Sequence, residues 1–305
     1  MGALRLPAFA KINLGLRILG QRPDGYHEIR TVYQTISLAD NLEVSLASRP
    51  GAIEVEAEAP DVPSGPGNLV YKACQRWREA RATHRGIRVT IEKKIPAGSG
   101  LGGASSDAAA ALVALERMSG DRLGLAARLE LAAGLGSDVP FFLFGGRAFG
   151  CGRGEEVYPL ADLPPRHCLV VFPGFPQSTR DAYAAIDSRL TEERAGRNIY
   201  SFGKWPQFPW EDWEAAENDF ESVVFAKWPE LSKLKRQLLR AGAEMASLTG
   251  SGTAVYAIFP SARKLALARD LLPKKWRSFA TRTLSRSDFQ APHELTTPTG
   301  ATSKY

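Results

Sequence analysis

The sequence predicts an α+β protein of two domains, and three observations carry this. Its 305 residues exceed what one hydrophobic core usually supports, since single cores stop growing near ~250–300 residues. Strand patterns dominate the first hundred residues, and helical patterns alternate with further strands after that. A loop-rich break at Leu160–Pro165 separates the two series. These readings give domains at 1–161 and 162–285. Residues 286–305, polar with two prolines and many Thr and Ser, read as a disordered tail.

The elements follow in order. Leu4–Leu19 reads as one or two strands, and Pro23-Asp24-Gly25 as a turn, with a fixed φ, an Asx side chain and a glycine. Glu28–Leu38, Asn41–Leu46 and Ala52–Ala57 read as strands, and Pro60–Gly67 as a loop. Asn68–Thr83 places Leu69, Ala73 and Trp77 at four-residue spacing, as a helix does. Ile87–Ile95 alternates apolar and polar side chains, as a half-buried strand does. The Ala-rich run Ala108–Leu115 and the segment Leu123–Leu135 read as helices. Phe141–Phe144 and Arg147–Phe149 read as a strand or hairpin around a glycine pair.

Beyond the break, Cys168–Phe172, Glu244–Ser247, Ala254–Phe259 and Ser278–Thr283 read as strands. Glu230–Ala241 and Ser261–Leu272 read as helices, and Arg194–Trp213 as an irregular aromatic stretch.

Composition narrows the function classes. With 44% hydrophobic and 24% charged residues, the chain is neither disordered nor fibrous. The net charge of +6 is uneven: Lys227–Arg286 holds 13 Lys and Arg against 3 Asp and Glu. Such a face suits a nucleic acid, an anionic substrate or solvent alone. Interleaved exposed aromatics are not expected there, and the charges spread along helical segments, which argues against nucleic acid. Cys74, Cys151 and Cys168 form no CxxC pair, so neither a zinc site nor a disulfide framework is expected. Free thiols, no secretory leader and no apolar run of about 18 residues together point to the cytoplasm, with no membrane contact.

The densest signal is Pro96-Ala-Gly98-Ser-Gly100-Leu101-Gly102-Gly103-Ala104-Ser105-Ser106-Asp107, between a strand and a helix. Glycines let a backbone approach an anion closely, and a helix N-terminus offers amides aligned with its dipole. Ser105 or Ser106 suits the N-cap. Gly98-x-Gly100-x-x-Gly103 formally fits the dinucleotide fingerprint, yet it follows several strands and a helix, and no carboxylate stands at the right strand end. No Gly-Lys-Ser/Thr follows, so it is no Walker A loop.

Two further segments resolve the architecture. Ala8-Phe-Ala10-Lys11-Ile-Asn13-Leu and Leu248-Thr249-Gly250-Ser251-Gly252-Thr253-Ala254, with the central loop, resemble the three motifs of the GHMP small-molecule kinases. The resemblance covers about residues 5–285 and implies a ribosomal-protein-S5-domain-2-like N-terminal half, a ferredoxin-like C-terminal half and a site between them. Arg22-Pro23-Asp24-Gly25-Tyr26-His27-Glu28, Gly136-Ser137-Asp138-Val139-Pro140 and Asn218-Asp219-Phe220-Glu221 resemble the branch whose substrate is an alcohol carrying a cytidine diphosphate. Ala104, where a third glycine is common, and Arg180, where proline often stands, depart from its pattern.

The resemblance implies roles residue by residue. Lys11 and Asp138 form the catalytic pair, with Asp138 accepting the proton of a hydroxyl. Asn13, Tyr26, His27, Thr179 and Tyr183 bind the substrate, with Tyr26, His27 and Tyr183 at the base. Asn68, Leu69, Pro96, Gly98, Gly100, Leu101, Gly102, Gly103, Ser105, Ser106, Gly250 and Ser251 bind ATP, the co-substrate. Mg²⁺ is expected to neutralise phosphate charge, without a dedicated protein metal site. The partners expected are one small-molecule substrate and no nucleic acid, with the chain a monomer or weak homodimer. Asn68 is equally a plausible helix cap, Ser106 likewise, and Thr249–Thr253 a plain turn between strands. A homoserine or mevalonate kinase, a nucleic-acid-binding protein on an S5-like fold, and an inactive relative are the alternatives.

Overall fold

The computed structural model describes residues 2–59, 62–193 and 217–294. The aromatic stretch with Trp205, Trp210 and Trp213, and residues 295–305 of the expected tail, lie outside the described residues.

The N-terminal sheet is built on one long ribbon. β1 (Leu4–Gln21) pairs antiparallel with β2 (His27–Pro50) through the turn that Pro23-Asp24-Gly25 makes. Where the sequence suggests two strands in 28–46, one runs through, because Ala39 and Asp40 stay paired with Phe9 and Ala8. β3 (Ile53–Ala57) runs parallel to β4 (Arg85–Glu92), and β4 pairs with the distal half of β2. β5 (Arg147–Cys151) pairs with β2 near Tyr33, and β6 (Glu156–Pro159) lies beyond it. In β4 the buried Ile87, Val89 and Ile91 alternate with polar residues, and they pack on α1 (Leu69–Ala80) and α2 (Gly103–Ser119). The alanines of α2 let it lie close to α1 and the ribbon.

Two local readings change here. The helix after the glycine loop begins at Gly103, earlier than Ser105 or Ser106 could cap it, and Gly102 at φ +73° leads into it without a side-chain cap. Phe141–Phe144 is a helical turn, α4, rather than a strand; it follows α3 (Leu125–Leu135). Pro140 has helical φ and ψ before it and Gly145 at φ +64° ends it. Four apolar residues carry no periodicity to tell the two apart.

The second sheet is antiparallel in the order β10-β7-β9-β8, from β7 (His167–Phe172), β8 (Met245–Leu248), β9 (Val255–Phe259) and β10 (Arg277–Arg282). Helices α6 (Glu221–Lys227), α7 (Pro229–Arg240) and α8 (Ala262–Asp270) cover one face, where Leu231, Leu234 and Leu238 meet Leu169, Val171, Ala257 and Phe259. The alternate residues Cys168, Val170, Tyr256 and Ile258 meet Ala10, Ile12, Leu14, Val32 and Ile36 of the ribbon. These strands are thus buried on both faces, which is why Val255–Phe259 reads as an unbroken apolar run. The shared core fixes the two sheets against each other. α5 (Thr179–Glu193) follows β7.

Arg286–Glu294, expected to belong to a disordered tail, forms helix α9. Phe289 is its anchor: the ring is buried and lies 5.7 Å from that of Phe9, while His293 Nε2 donates to the Pro7 carbonyl at 3.0 Å. One buried aromatic in a polar stretch outweighs the composition. Among the described residues no helix is long and apolar enough to cross a membrane. Cys74, Cys151 and Cys168 are free thiols, the first and last buried.

Candidate active site

The first catalytic candidates come from irregularities in β1. Register shifts after Phe9 and after Asn13 break the ladder and re-aim the residues between them. Lys11 and Asn13, two apart, share one face of the strand. Both are buried, and Lys11 Nζ donates to Asn13 Oδ1 at 2.8 Å. Asn13 is held in turn: its Nδ2 donates to Thr31 Oγ1 at 2.8 Å, and its backbone N–H donates to Thr249 Oγ1 at 3.2 Å. Opposite stands Asp138, in the turn between α3 and α4, its Oδ2 3.4 Å from Lys11 Nζ.

Tyr33 completes this group and was not singled out from the sequence. Its hydroxyl lies 3.1 Å from Asp138 Oδ1 and 3.3 Å from the Gly154 carbonyl, so its one proton lies between two acceptors. Burial first, then the charge of Asp138, push the phenol well above its ordinary pKa. The phenol therefore stays a donor to Asp138. Removing it in Tyr33→Phe is expected to lower kcat about three- to tenfold and stability by about 1 kcal/mol, the net worth of one hydrogen bond. Steady-state kinetics beside thermal unfolding check this; an unchanged kcat would make Tyr33 a packing residue only.

The glycine loop lies against this group. Lys11 N–H donates to the Leu101 carbonyl at 3.0 Å, and Ala254 N–H to the Ser99 carbonyl at 3.2 Å, so the loop is stitched to both domains. Gly100, at φ +84°, has no room for a side chain: a Cβ there would sit 2.0 Å from the Thr249 carbonyl oxygen. The N–H groups of Gly103, Ala104 and Ser105 open α2 with no intrahelical acceptor. Amides in that position suit a phosphate.

Two cavities meet at this loop. A cleft of about 750 Å³ contains Lys11, Asn13, Asp138, Tyr26, His27, Thr179, Tyr183, Gly250 and Ser251. A second cavity of about 330 Å³ is walled by Asn68, Leu69, Pro96, Gly98, Leu101 and Gly103. Gly100, Gly102 and Ser105 line both. In the floor of the smaller cavity Lys93 bridges Asp40 and Asp107, the latter at 2.7 Å. Two buried carboxylates share one ammonium there. Burial, and then the Asp40 charge acting against the relief from Lys93, push Asp107 up to about 7.

The structure thus brings nearly every sequence-selected residue to one place. Asn68 does both things considered for it: it caps α1, accepting from Val70 N–H at 2.8 Å, and lines the smaller cavity. Ser106 stands apart from the others. It is buried, reaches neither cavity, and donates to the Phe9 carbonyl at 2.7 Å. Thr249–Thr253 is more than a turn, since Thr249 Oγ1 reaches the Gly100 carbonyl at 3.2 Å and Ser251 Oγ lies 3.0 Å from Thr179 Oγ1.

Comparison with known proteins decides among the alternatives. Residues 68–146 match the GHMP kinases N terminal domain and residues 206–278 the GHMP kinases C terminal. A 4-diphosphocytidyl-2-C-methyl-D-erythritol kinase of Solibacter usitatus (strain Ellin6076) is 46% identical over 274 residues, covering 88% of this chain and 84% of that one. The chain belongs to the 4-diphosphocytidyl-2-C-methyl-D-erythritol kinases. The same kinase of Geobacter sulfurreducens (strain ATCC 51573 / DSM 12127 / PCA) is 38% identical over 93% of this chain and all of its own. A crystal structure of 4-(cytidine 5'-diphospho)-2C-methyl-D-erythritol kinase superposes with a TM-score of 0.73 at 33% identity, over 92% of this chain and 99% of that one. The mevalonate kinase of Methanococcus jannaschii, at 16% identity and a TM-score of 0.64, shares the fold.

Two residues beside the cleft escaped sequence reading besides Tyr33, and a third was named without a role. Arg153, in the tight turn Gly152-Arg153-Gly154, lies over the Tyr26 ring with 4.7 Å from guanidinium carbon to centroid. Asp187 reaches His27 from α5. Asn218, named from resemblance without a role, is buried and donates to the Leu248 and Gly250 carbonyls at 2.9 and 3.0 Å. It ties both ends of the Leu248–Gly250 segment together. The two glycines flanking Arg153 were the one available signal for it, the resemblance motif was the signal for Asn218, and Asp187 carried none.

Proposed function

We propose that the enzyme transfers the γ-phosphoryl group of ATP to the 2-hydroxyl of 4-diphosphocytidyl-2-C-methyl-D-erythritol, giving ADP and the 2-phosphate in the non-mevalonate route to isoprenoids. The observation that carries the reading is one juxtaposition: the Lys11–Asp138 pair stands where a phosphate loop and an aromatic-lined cleft meet. The smaller cavity takes adenosine, with Asn68, Leu69 and Pro96 at the base and Gly98–Ser105 along the phosphates. The larger cleft takes the cytidine compound, with Tyr26, His27 and Tyr183 at the base, and Asn13 and Thr179 toward the acceptor alcohol and its diphosphate.

Phosphoryl transfer needs an aligned hydroxyl, a proton acceptor and charge stabilisation. Asp138 accepts the hydroxyl proton as the oxygen attacks the γ-phosphorus. Lys11 spans Asn13 and Asp138 and brings a positive charge to the transferring group. The amides opening α2 stabilise charge on the phosphate oxygens, and they are pre-organised because the loop is stitched to both domains.

Mg²⁺ neutralises phosphate charge when it arrives with the nucleotide. Ser105, which lines both cavities, would offer a hydroxyl oxygen to a phosphate-bound ion. We place the enzyme in the cytoplasm on its unpaired thiols, acting as a monomer or weak homodimer.

Mass spectrometry of reactions with ATP, Mg²⁺ and one alcohol at a time tests the reading. The cytidyl compound is expected to gain one phosphate, while mevalonate and homoserine do not. Transfer to either of the others would keep the phosphate loop and overturn the roles of Tyr26 and His27.

A further inference from the structure

His27 opens β2 directly after the Pro23–Tyr26 turn and is nearly buried, whereas its neighbour Tyr26 is 54% exposed. Its surroundings come from the other domain. Tyr183 and Asp187 stand four residues apart, on one face of α5. The Tyr183 ring stacks on the imidazole with centroids 4.4 Å apart and planes at 21°. Tyr183 is braced edge-on by Phe220 at 4.9 Å. Asp187 Oδ1 lies 2.7 Å from His27 Nε2. Stacking fixes the plane of the ring, and the carboxylate fixes its rotation within that plane.

A carboxylate only accepts, so the hydrogen bond requires the proton on Nε2. In a neutral imidazole the other nitrogen is then an acceptor. This distinction bears on base choice, and here the argument rests on the cytidine reading of the cleft. At ring position 4 cytosine carries an amine, which donates, and uracil a carbonyl, which accepts. An Nδ1 lone pair matches the amine and repels the carbonyl. The opposite tautomer, with its proton on Nδ1, would match the carbonyl.

We propose that Asp187 is a positioning residue that sets base specificity: it holds His27 as the Nε2–H tautomer, so that Nδ1 selects an amino-pyrimidine over a keto-pyrimidine. Asp187 acts through His27 and contributes nothing to the transferring phosphoryl group. An analogous arrangement orients metal-bound histidines, whose second nitrogen is held by a carboxylate. Here the same device would serve hydrogen-bond readout.

The test compares wild type with Asp187→Ala, a change to a strong helix former at a partly exposed helix position. ¹⁵N shifts of His27 in histidine-labelled protein, assigned with His27→Gln, read the tautomer without any substrate. kcat and KM are then measured with the cytidyl substrate and its uridyl counterpart. The wild-type ring is expected to carry its proton on Nε2, and the variant ring to show a mixture. The cytidyl-over-uridyl ratio of kcat/KM is expected to fall about tenfold in the variant, through KM, with kcat for the cytidyl compound within about twofold. A wild-type proton on Nδ1, or a full ratio in the variant, overturns the proposal. Failure of the wild type to phosphorylate the cytidyl compound overturns the reading beneath it and the proposal together, and is a separate result from the tautomer.

Discussion

Asp138→Asn is expected to lower kcat by about 10²–10⁴-fold, the range that a positioned general base contributes. The side chain keeps its shape, and Tyr33 can still donate to the retained carbonyl oxygen, so the fold should persist. Lys11 then faces an amide 3.4 Å away instead of a carboxylate, and the substrate hydroxyl has no acceptor for its proton. KM for ATP should move little, since Asp138 lines the larger cleft and not the smaller cavity. Steady-state kinetics beside a thermal melt separate these effects. A kcat within threefold of wild type would remove Asp138 from the chemistry and leave Lys11 and the loop amides as the working groups.

Gly100→Ala should act on binding and stability together. The new methyl would lie 2.0 Å from the Thr249 carbonyl oxygen, on backbone at φ +84°. Left-handed backbone costs an alanine about 1–2 kcal/mol, and overpacking about 1–3 kcal/mol more. The chain can relieve this only by moving the glycine loop off the Thr249–Gly252 turn, which opens the seam where the two cavities meet. A loss of about 2–5 kcal/mol in stability is expected, with KM for ATP raised at least tenfold. Denaturant unfolding and ATP titration check both. Gly98→Ala is the contrast: its φ is also positive, at +67°, yet a Cβ there meets nothing within 4 Å. It should cost about the backbone strain alone.

The site was largely legible because its parts are short motifs with local causes. The glycine loop shows in four glycines within six residues, and Lys11 and Asn13 lie two apart on one strand. What stayed hidden depends on contacts across the chain. Tyr33 reads as one more apolar position of a strand, and only the α3–α4 turn brings Asp138 to its hydroxyl. Asp187 falls in a segment to which the sequence reading assigns no element, and only the helix α5 brings it to His27. Ser106 does not cap α2, because the helix starts at Gly103, and its hydroxyl donates to the Phe9 carbonyl. The two strands expected in 28–46 merge because pairing with β1 carries the chain through Ala39 and Asp40. The helical α9 rests on Phe289, whose burial no local pattern announces.

The most direct measurement is a structure of the enzyme with a non-hydrolysable ATP analogue and the cytidyl substrate bound together. The account predicts the γ-phosphate against Gly98–Ser105 and the cytosine beside Tyr26, His27 and Tyr183. The 2-hydroxyl oxygen should lie about 2.6–3.2 Å from the Asp138 carboxylate, in line with the γ-phosphorus. A hydroxyl turned away from Asp138, or a cytosine seated outside the aromatic end of the cleft, would contradict it.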